Sequence, residues 1–296
     1  MPERFARLRS NGMLLMGLAA LLFSGMAALA KLAAQRVPSA EVVLFRSLLG
    51  ALLLVGWHLA RGGRPAALLG THRGLLALRG ALGGLAVLLF FYGLAGLSVA
   101  DGLLLNNCSP LFVLALSGPL LGERIARRQL LPVPLCVVGV LLVLRPSLEV
   151  VNWPGVAALG SAALAAGAYV CVRKLARAEQ ALVVVLYYTL ASGLLAAPVA
   201  ALDFAWPDGP TWLALAGVAG LGIGAQLLLT VAYRHDTAGR VAMVGYAGPV
   251  FGAGWDLVLW GAAPTPWSAA GAALVISGLL WLHAQGRAVE SRPALR

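Results

Sequence analysis

Ten apolar runs, most of them close to the roughly 20 residues an α-helix needs to cross a bilayer, follow one another from end to end of this chain. They lie at about Met13–Ala34, Ala40–Ala60, Gly74–Leu97, Gly102–Leu121, Gln129–Leu144, Pro154–Leu175, Ala181–Ala201, Thr211–Tyr233, Gly239–Trp260 and Trp267–Ala284. Hydrocarbon offers a backbone no hydrogen-bond partner, so each run has to satisfy its own amides as a helix; a closed barrel would show short alternating strands instead. The composition, 60% hydrophobic and 11% charged, lies outside the range of soluble domains. The runs therefore predict an all-α polytopic membrane protein with ten transmembrane helices and the lipid bilayer as its surroundings.

The net charge of +11 would suggest nucleic acid in a soluble protein. Here nearly all Lys and Arg fall in the breaks between runs, where they orient the spans, and no nucleic-acid partner is expected. With the N-terminus placed inside, 17 of the 22 Lys and Arg fall on inner segments and only Lys31, Arg36 and Arg145 on outer ones. Arg46 and Arg79 are left inside or at the edge of spans. Both termini are thus predicted to be cytoplasmic, and losing one span would reverse every later loop and destroy the asymmetry. The first run imitates a secretory leader, with Arg4, Arg7 and Arg9 ahead of it and Ala28-Leu29-Ala30 within it. It is too long for that, and Gly25 and Lys31 have partners in Gly167 and Arg173, 142 residues on.

That echo is not isolated. Ser109-Pro110-Leu111-Phe112 returns 139 residues later as Gly248-Pro249-Val250-Phe251, and the same offset carries Gly139 onto Gly278. Two units are predicted, 1–147 and 148–296. Five spans is an odd number, so the second unit enters the membrane in the opposite sense. Inverted repeats of this kind commonly form secondary transporters with a site near the midplane between the halves, and a central cavity is expected there.

Residues 92–123, with Ser98, Gly102-Leu103-Leu104-Leu105, Pro110-Leu111-Phe112 and the closing Gly122-Glu123, resemble the EamA-type domain of the drug/metabolite transporter superfamily. So does Ala27–Leu54, a small-residue helix end followed by Arg46 in the next helix. The resemblance covers the chain as two tandem five-helix units and is clearer in the first, since Ala262 stands where Glu123 does and Tyr188 where Arg46 does. It implies a bacterial inner-membrane exporter of small metabolites, amino acids among them, with no ATP-hydrolysing part. Within the superfamily it is most similar to the YddG-type amino acid exporters, which extends the expectation to aromatic amino acids.

Polar groups inside spans are costly, a central charge at least about 2.5–3.5 kcal/mol. Asn106, Asn107 and Ser109 precede Pro110, whose ring frees a carbonyl one turn earlier and predicts a kink; Pro249 predicts the matching kink in the ninth run. The amides either line a cavity opened by the kink or bond to neighbouring helices. Tyr92, Tyr169, Tyr188, Tyr246, Gln226 and Trp255 are candidates to line the same cavity, their apolar bodies and polar tips suiting an amphipathic metabolite. Arg46 and Asp256 form a candidate ion pair across the halves, Asp256 also being the candidate for proton coupling; the alternative for both is snorkelling to headgroups. Gly80-xxx-Gly84, Gly220-xxx-Gly224 and Gly248-xxx-Gly252 predict close helix approach.

Cys108, Cys136 and Cys171 fall within spans without metal-ligand spacing and read as small buried hydrophobes. No metal and no cofactor are expected, and no phosphate-binding loop or Ser/His/Asp set points to an enzyme. The expected partner is a small-molecule substrate, amino acids or related metabolites, handled by a monomer or homodimer through alternating access. The rival readings are an importer or exchanger of nucleotide sugars or phosphorylated metabolites, a membrane enzyme, a lipid-handling protein and a channel.

Overall fold

The computed structural model describes residues 12–109, 111–112, 131, 133–144, 152–235, 244–245 and 247–290. Ten α-helices run through these residues: α1 Gly12–Ala33, α2 Ser39–Ala60, α3 Arg73–Gly96, α4 Val99–Asn106, α5 Val133–Leu144, α6 Trp153–Ala178, α7 Ala181–Ala200, α8 Gly209–His235, α9 Gly248–Trp260 and α10 Pro266–Glu290. Six of them, α1, α2, α3, α6, α7 and α8, are long and apolar enough to cross a membrane.

Local sequence explains where they begin and end. The Ser98 hydroxyl accepts from the Asp101 N–H and opens α4; Asn152 accepts from the Gly155 N–H and, with Pro154 in the first turn, opens α6. Asp208 accepts from the Thr211 N–H at the start of α8. Each satisfies a donor that the first turn leaves free. Gly261, at φ +61°, ends α9 in the left-handed conformation that costs glycine least.

The two proline regions differ from the kinks predicted for them. α4 stops at Asn106, and the next amides turn tighter: Cys108 N–H bonds to Leu105 O and Leu111 N–H to Cys108 O, three residues back instead of four. Pro110 itself lies outside the described residues. Pro249 is not within a continuous ninth span but in the first turn of α9, where its missing N–H leaves no bond unmade.

The halves interlock. α1 packs along α8 and α3 along α6, while α2 meets α7, α4 meets α9 and α5 meets α10. Small residues allow the close approaches, because helices in lipid gain affinity from van der Waals contact and not from exclusion of water. A Cβ on Gly80 would lie 2.9 Å from Tyr187 O, and one on Gly252 3.1 Å from the Ala100 backbone, whereas Gly220 has nothing within 4 Å. Large apolar side chains such as Leu52, Leu194, Leu213 and Val258 are exposed on the outside, as contact with lipid requires.

Contacts between helix ends sort the bundle into two faces. At one end Lys31 at the close of α1 meets Asp256, which binds the start of α4, and the α1–α2 turn meets the α7–α8 loop through Arg36 and Asp208. Pro154, opening α6, lies against Gly93 and Gly96 at the close of α3. At the other end Glu179, after α6, holds Thr71 and His72 before α3. α1 therefore finishes at the end where α6 begins.

Candidate functional site

A cavity of about 120 Å³ lies between the halves, walled by α1, α3, α4, α6, α7 and α8 and by the residues that lead into α9. Phe23, Met26, Phe90 and Leu103 make it apolar; Arg79, Asn106, Asn107, Tyr169, Tyr188 and Gln226 bring polar groups to it. An apolar pocket with a few convergent polar groups is the usual form of a small-molecule site. Its volume is below the roughly 300–1,000 Å³ of sites holding drug-sized ligands.

The interrupted helices position the amides. Because α4 ends at Asn106 and α9 begins at Gly248, the two breaks meet at the cavity wall, where Asn107 Nδ2 donates to Gly245 O at 3.3 Å. Asn106 Nδ2 donates to Ser161 Oγ on α6 at 2.8 Å, and that hydroxyl donates to Ala158 O at 2.6 Å. The amides thus both line the cavity and bond to neighbours, so the two alternatives read from sequence are joined in one arrangement.

Two guanidiniums lie against the Tyr188 ring. Arg46, 6% exposed, stands 5.3 Å from its centroid and 5.6 Å from that of Phe91, and its Nη2 donates to Tyr188 Oη at 2.9 Å. Arg79, 3% exposed, stands 4.6 Å from the Tyr188 ring, with Nη2 donating to Gln226 Oε1 at 3.4 Å. The Nε of each has no hydrogen-bond partner among the described residues. Sequence leaves Arg79 inside or at the edge of a span and does not count it among the cavity residues. The signal that marks it is Gly83 four residues later, on the same helix face: a Cβ there would lie 1.9 Å from Arg79 Nη1, so the glycine makes room for the guanidinium.

The expected Arg46–Asp256 pair is not formed. Asp256 instead accepts from the Val99 and Ala100 amides at 3.0 and 2.9 Å and lies 3.7 Å from Lys31 Nζ. The free N–H groups and positive end of α4 attract the carboxylate. Other candidates also move. Tyr92 is 50% exposed on the outside. Trp255 donates through Nε1 to Ser24 Oγ at 3.2 Å, tying α9 to α1. Ser109 is buried but does not line the cavity, and Tyr246 lies outside the described residues. The three cysteines are free and buried. Among the described residues no three His, Cys, Asp or Glu side chains gather as metal ligands would.

At the far end of the bundle, Glu179 Oε1 accepts from Thr71 N–H, Thr71 Oγ1 and His72 N–H at 2.6–2.7 Å and lies 3.2 Å from His72 Nδ1. Burial alone would raise its pKa; the bonds from Thr71 and His72 outweigh that and hold the carboxyl down to about 2.

The sequence profile of the EamA-like transporter family matches this chain twice, over residues 10–145 and 152–283. The pseudopaline exporter CntI of Pseudomonas aeruginosa is 35% identical over 277 residues, covering 91% of this chain and 94% of that one. An uncharacterized transporter of Helicobacter pylori is 32% identical over 279 residues, with 89% and 91% covered, and human solute carrier family 35 member G1 is 27% identical over 222, with 70% and 61% covered. A solved crystal structure superimposes with a TM-score of 0.66 at 25% identity, over 94% of this chain and 99% of its own.

Proposed function

Since the chain belongs to the EamA-like transporter family, we propose that it is a secondary exporter of small amphipathic metabolites, amino acids and aromatic ones among them, working by alternating access. The observation that carries the reading is the cavity itself, enclosed between the two halves at the point where the breaks after α4 and before α9 meet. Transporters built from inverted repeats place their sites at such discontinuous helices.

Two further features support it. α1 and α6 open the two halves at opposite ends of the bundle, and the α1–α8 packing is matched by α3–α6, its counterpart when the halves are exchanged. That is the pattern inverted five-helix repeats produce, with ten spans in a bacterial inner membrane and both termini cytoplasmic. Export is supported by the named direction of the pseudopaline exporter. Phe23 and Phe90 suit an apolar or aromatic body, and the Asn106, Asn107 and Gln226 amides suit the polar head.

A second reading, exchange of phosphorylated metabolites or nucleotide sugars, is favoured by one observation: two buried guanidiniums stand beside the cavity. One experiment addresses both. Proteoliposomes holding the purified chain are offered labelled amino acids, with and without a pH gradient and with unlabelled competitors. A parallel set is preloaded with nucleotide sugars. Saturable, competed amino acid uptake is expected; its absence for every amino acid, with counterflow in the preloaded set, overturns the amino acid assignment.

A further inference from the structure

We infer that Arg79 is the anchor for a carboxylate carried by the transported metabolite, a conclusion that rests on reading the cavity as the substrate site. Arg79 lines the cavity, is 3% exposed, and has an Nε without a partner among the described residues and a single long bond to Gln226. The other cations with ion pairs among the described residues, Lys31, Arg36 and His72, each meet an acid. Among the described residues neither Arg79 nor Arg46 does. Burying a guanidinium without a counter-charge at membrane depth is expensive, and a face-on contact with one tyrosine ring does not offset it.

Arg46 sharpens the argument. Its Nη2 is occupied by the Tyr188 hydroxyl, and it stands behind the wall next to Met26 instead of lining it. It adds a second positive charge against the same ring, leaving Arg79 as the one of the pair that faces the cavity. An anion entering there meets two cations in a low dielectric, where the attraction is far stronger than in water. The planar fork of a guanidinium matches a carboxylate in two parallel bonds. Gln226, bonded to Arg79, and the Asn106 and Asn107 amides, which also line the cavity, are available for whatever polar group the acid bears beside it.

The test is equilibrium binding to the purified full-length chain in detergent, followed by thermal stabilisation. The probes are L-phenylalanine, its amide, 3-phenylpropanoate, glutarate and phenyl phosphate. The wild type is expected to bind the acids at least about 30-fold more tightly than the amide. Arg79→Gln abolishes that preference and Arg79→Lys, keeping the charge but not the fork, retains part of it. Gly83→Ala provides a second route that removes no charge: its methyl would fall 1.9 Å from Arg79 Nη1, displacing the guanidinium, and it is expected to lose the preference too. Equal binding of acid and amide, no binding of any carboxylate, a preference for phenyl phosphate, or an acid preference that survives both Arg79→Gln and Gly83→Ala overturns the assignment. Flux in proteoliposomes separates this from the transport reading. Acid binding through Arg79 with no flux leaves the anchor and removes the transporter; flux of an amide or neutral metabolite, unchanged in Arg79→Gln, does the reverse.

Discussion

Glu179 joins the halves with a single oxygen, accepting from two backbone amides and a hydroxyl of the segment before α3. Its carboxyl, ordinarily near 4.5, is held down to about 2 in the folded protein, so the folded state favours the ionised form. The stability this gives is complete above the ordinary value and is lost as pH falls through 4.5 toward 2. Glu179→Gln is expected to cost about 2 kcal/mol at neutral pH, read as a lower unfolding temperature in detergent, and the gap to wild type should close between pH 4.5 and 2. A constant gap across that range would show that the charge is not what matters. Asp256 and Arg46 were legible in sequence as charges inside apolar runs, and both are buried. Their partners were not, because pairing depends on how each helix is rotated, and helices apolar on all sides leave rotation unwritten. Arg79 was hidden differently: six residues into its helix, it read only as a charge inside or at the edge of a span.

The helices themselves were mostly legible, since an apolar run of sufficient length has one outcome in lipid. All ten runs begin or end within a few residues of a described helix, while the fourth and ninth are interrupted, at residues 107–108 and at Ala247, by breaks that a proline signals only as a disturbance, not as a stop. Glycine spacing was a weaker guide. The Gly80 and Gly84 pair meets α7, Gly252 meets α4 and Gly248 meets Asn107 just after it, but Gly220 in the third such pair faces open space. A side chain at Gly80 has to push into Tyr187 O and Ala191. Gly80→Leu is therefore expected to destabilise by about 1–3 kcal/mol, and Gly220→Leu by less than about 0.5 kcal/mol. Parallel thermal melts of the two variants check the ordering; equal losses would mean that α3 and α7 do not approach as described.

At the scale of the whole molecule the halves are tied at both ends, by Glu179 at one and by a second set of links at the other. Three links gather where α1 finishes: Asp256 between Lys31 and the α4 amides, Arg36 with Asp208, and Glu41 with the Ala205 amide at 2.6 Å. The cavity extends the other way, to Met16 near the start of α1 and to Tyr169 and Leu229 late in α6 and α8. From the charge asymmetry of the loops, we propose that this linked end, where α1 finishes, is the outer one. A transporter that opens there has to break those links, and Asp256 is the one that binds α9 of one half to α4 of the other. Asp256→Ala removes two charge-assisted hydrogen bonds worth about 1.5–3 kcal/mol each. Losing even one such bond shifts an open–closed equilibrium at least about tenfold toward opening. The measurement uses Leu103→Cys, on the cavity wall, in a chain whose three native cysteines are replaced, with a membrane-impermeant thiol reagent added outside intact cells. Faster labelling in the Asp256→Ala background is expected. An unchanged rate there, with fast labelling from the cytoplasmic side in inverted vesicles, would mean that Asp256 does not hold the outer end shut, while labelling that speeds up only in inverted vesicles would place the linked end on the cytoplasmic face and reverse the orientation of the whole bundle.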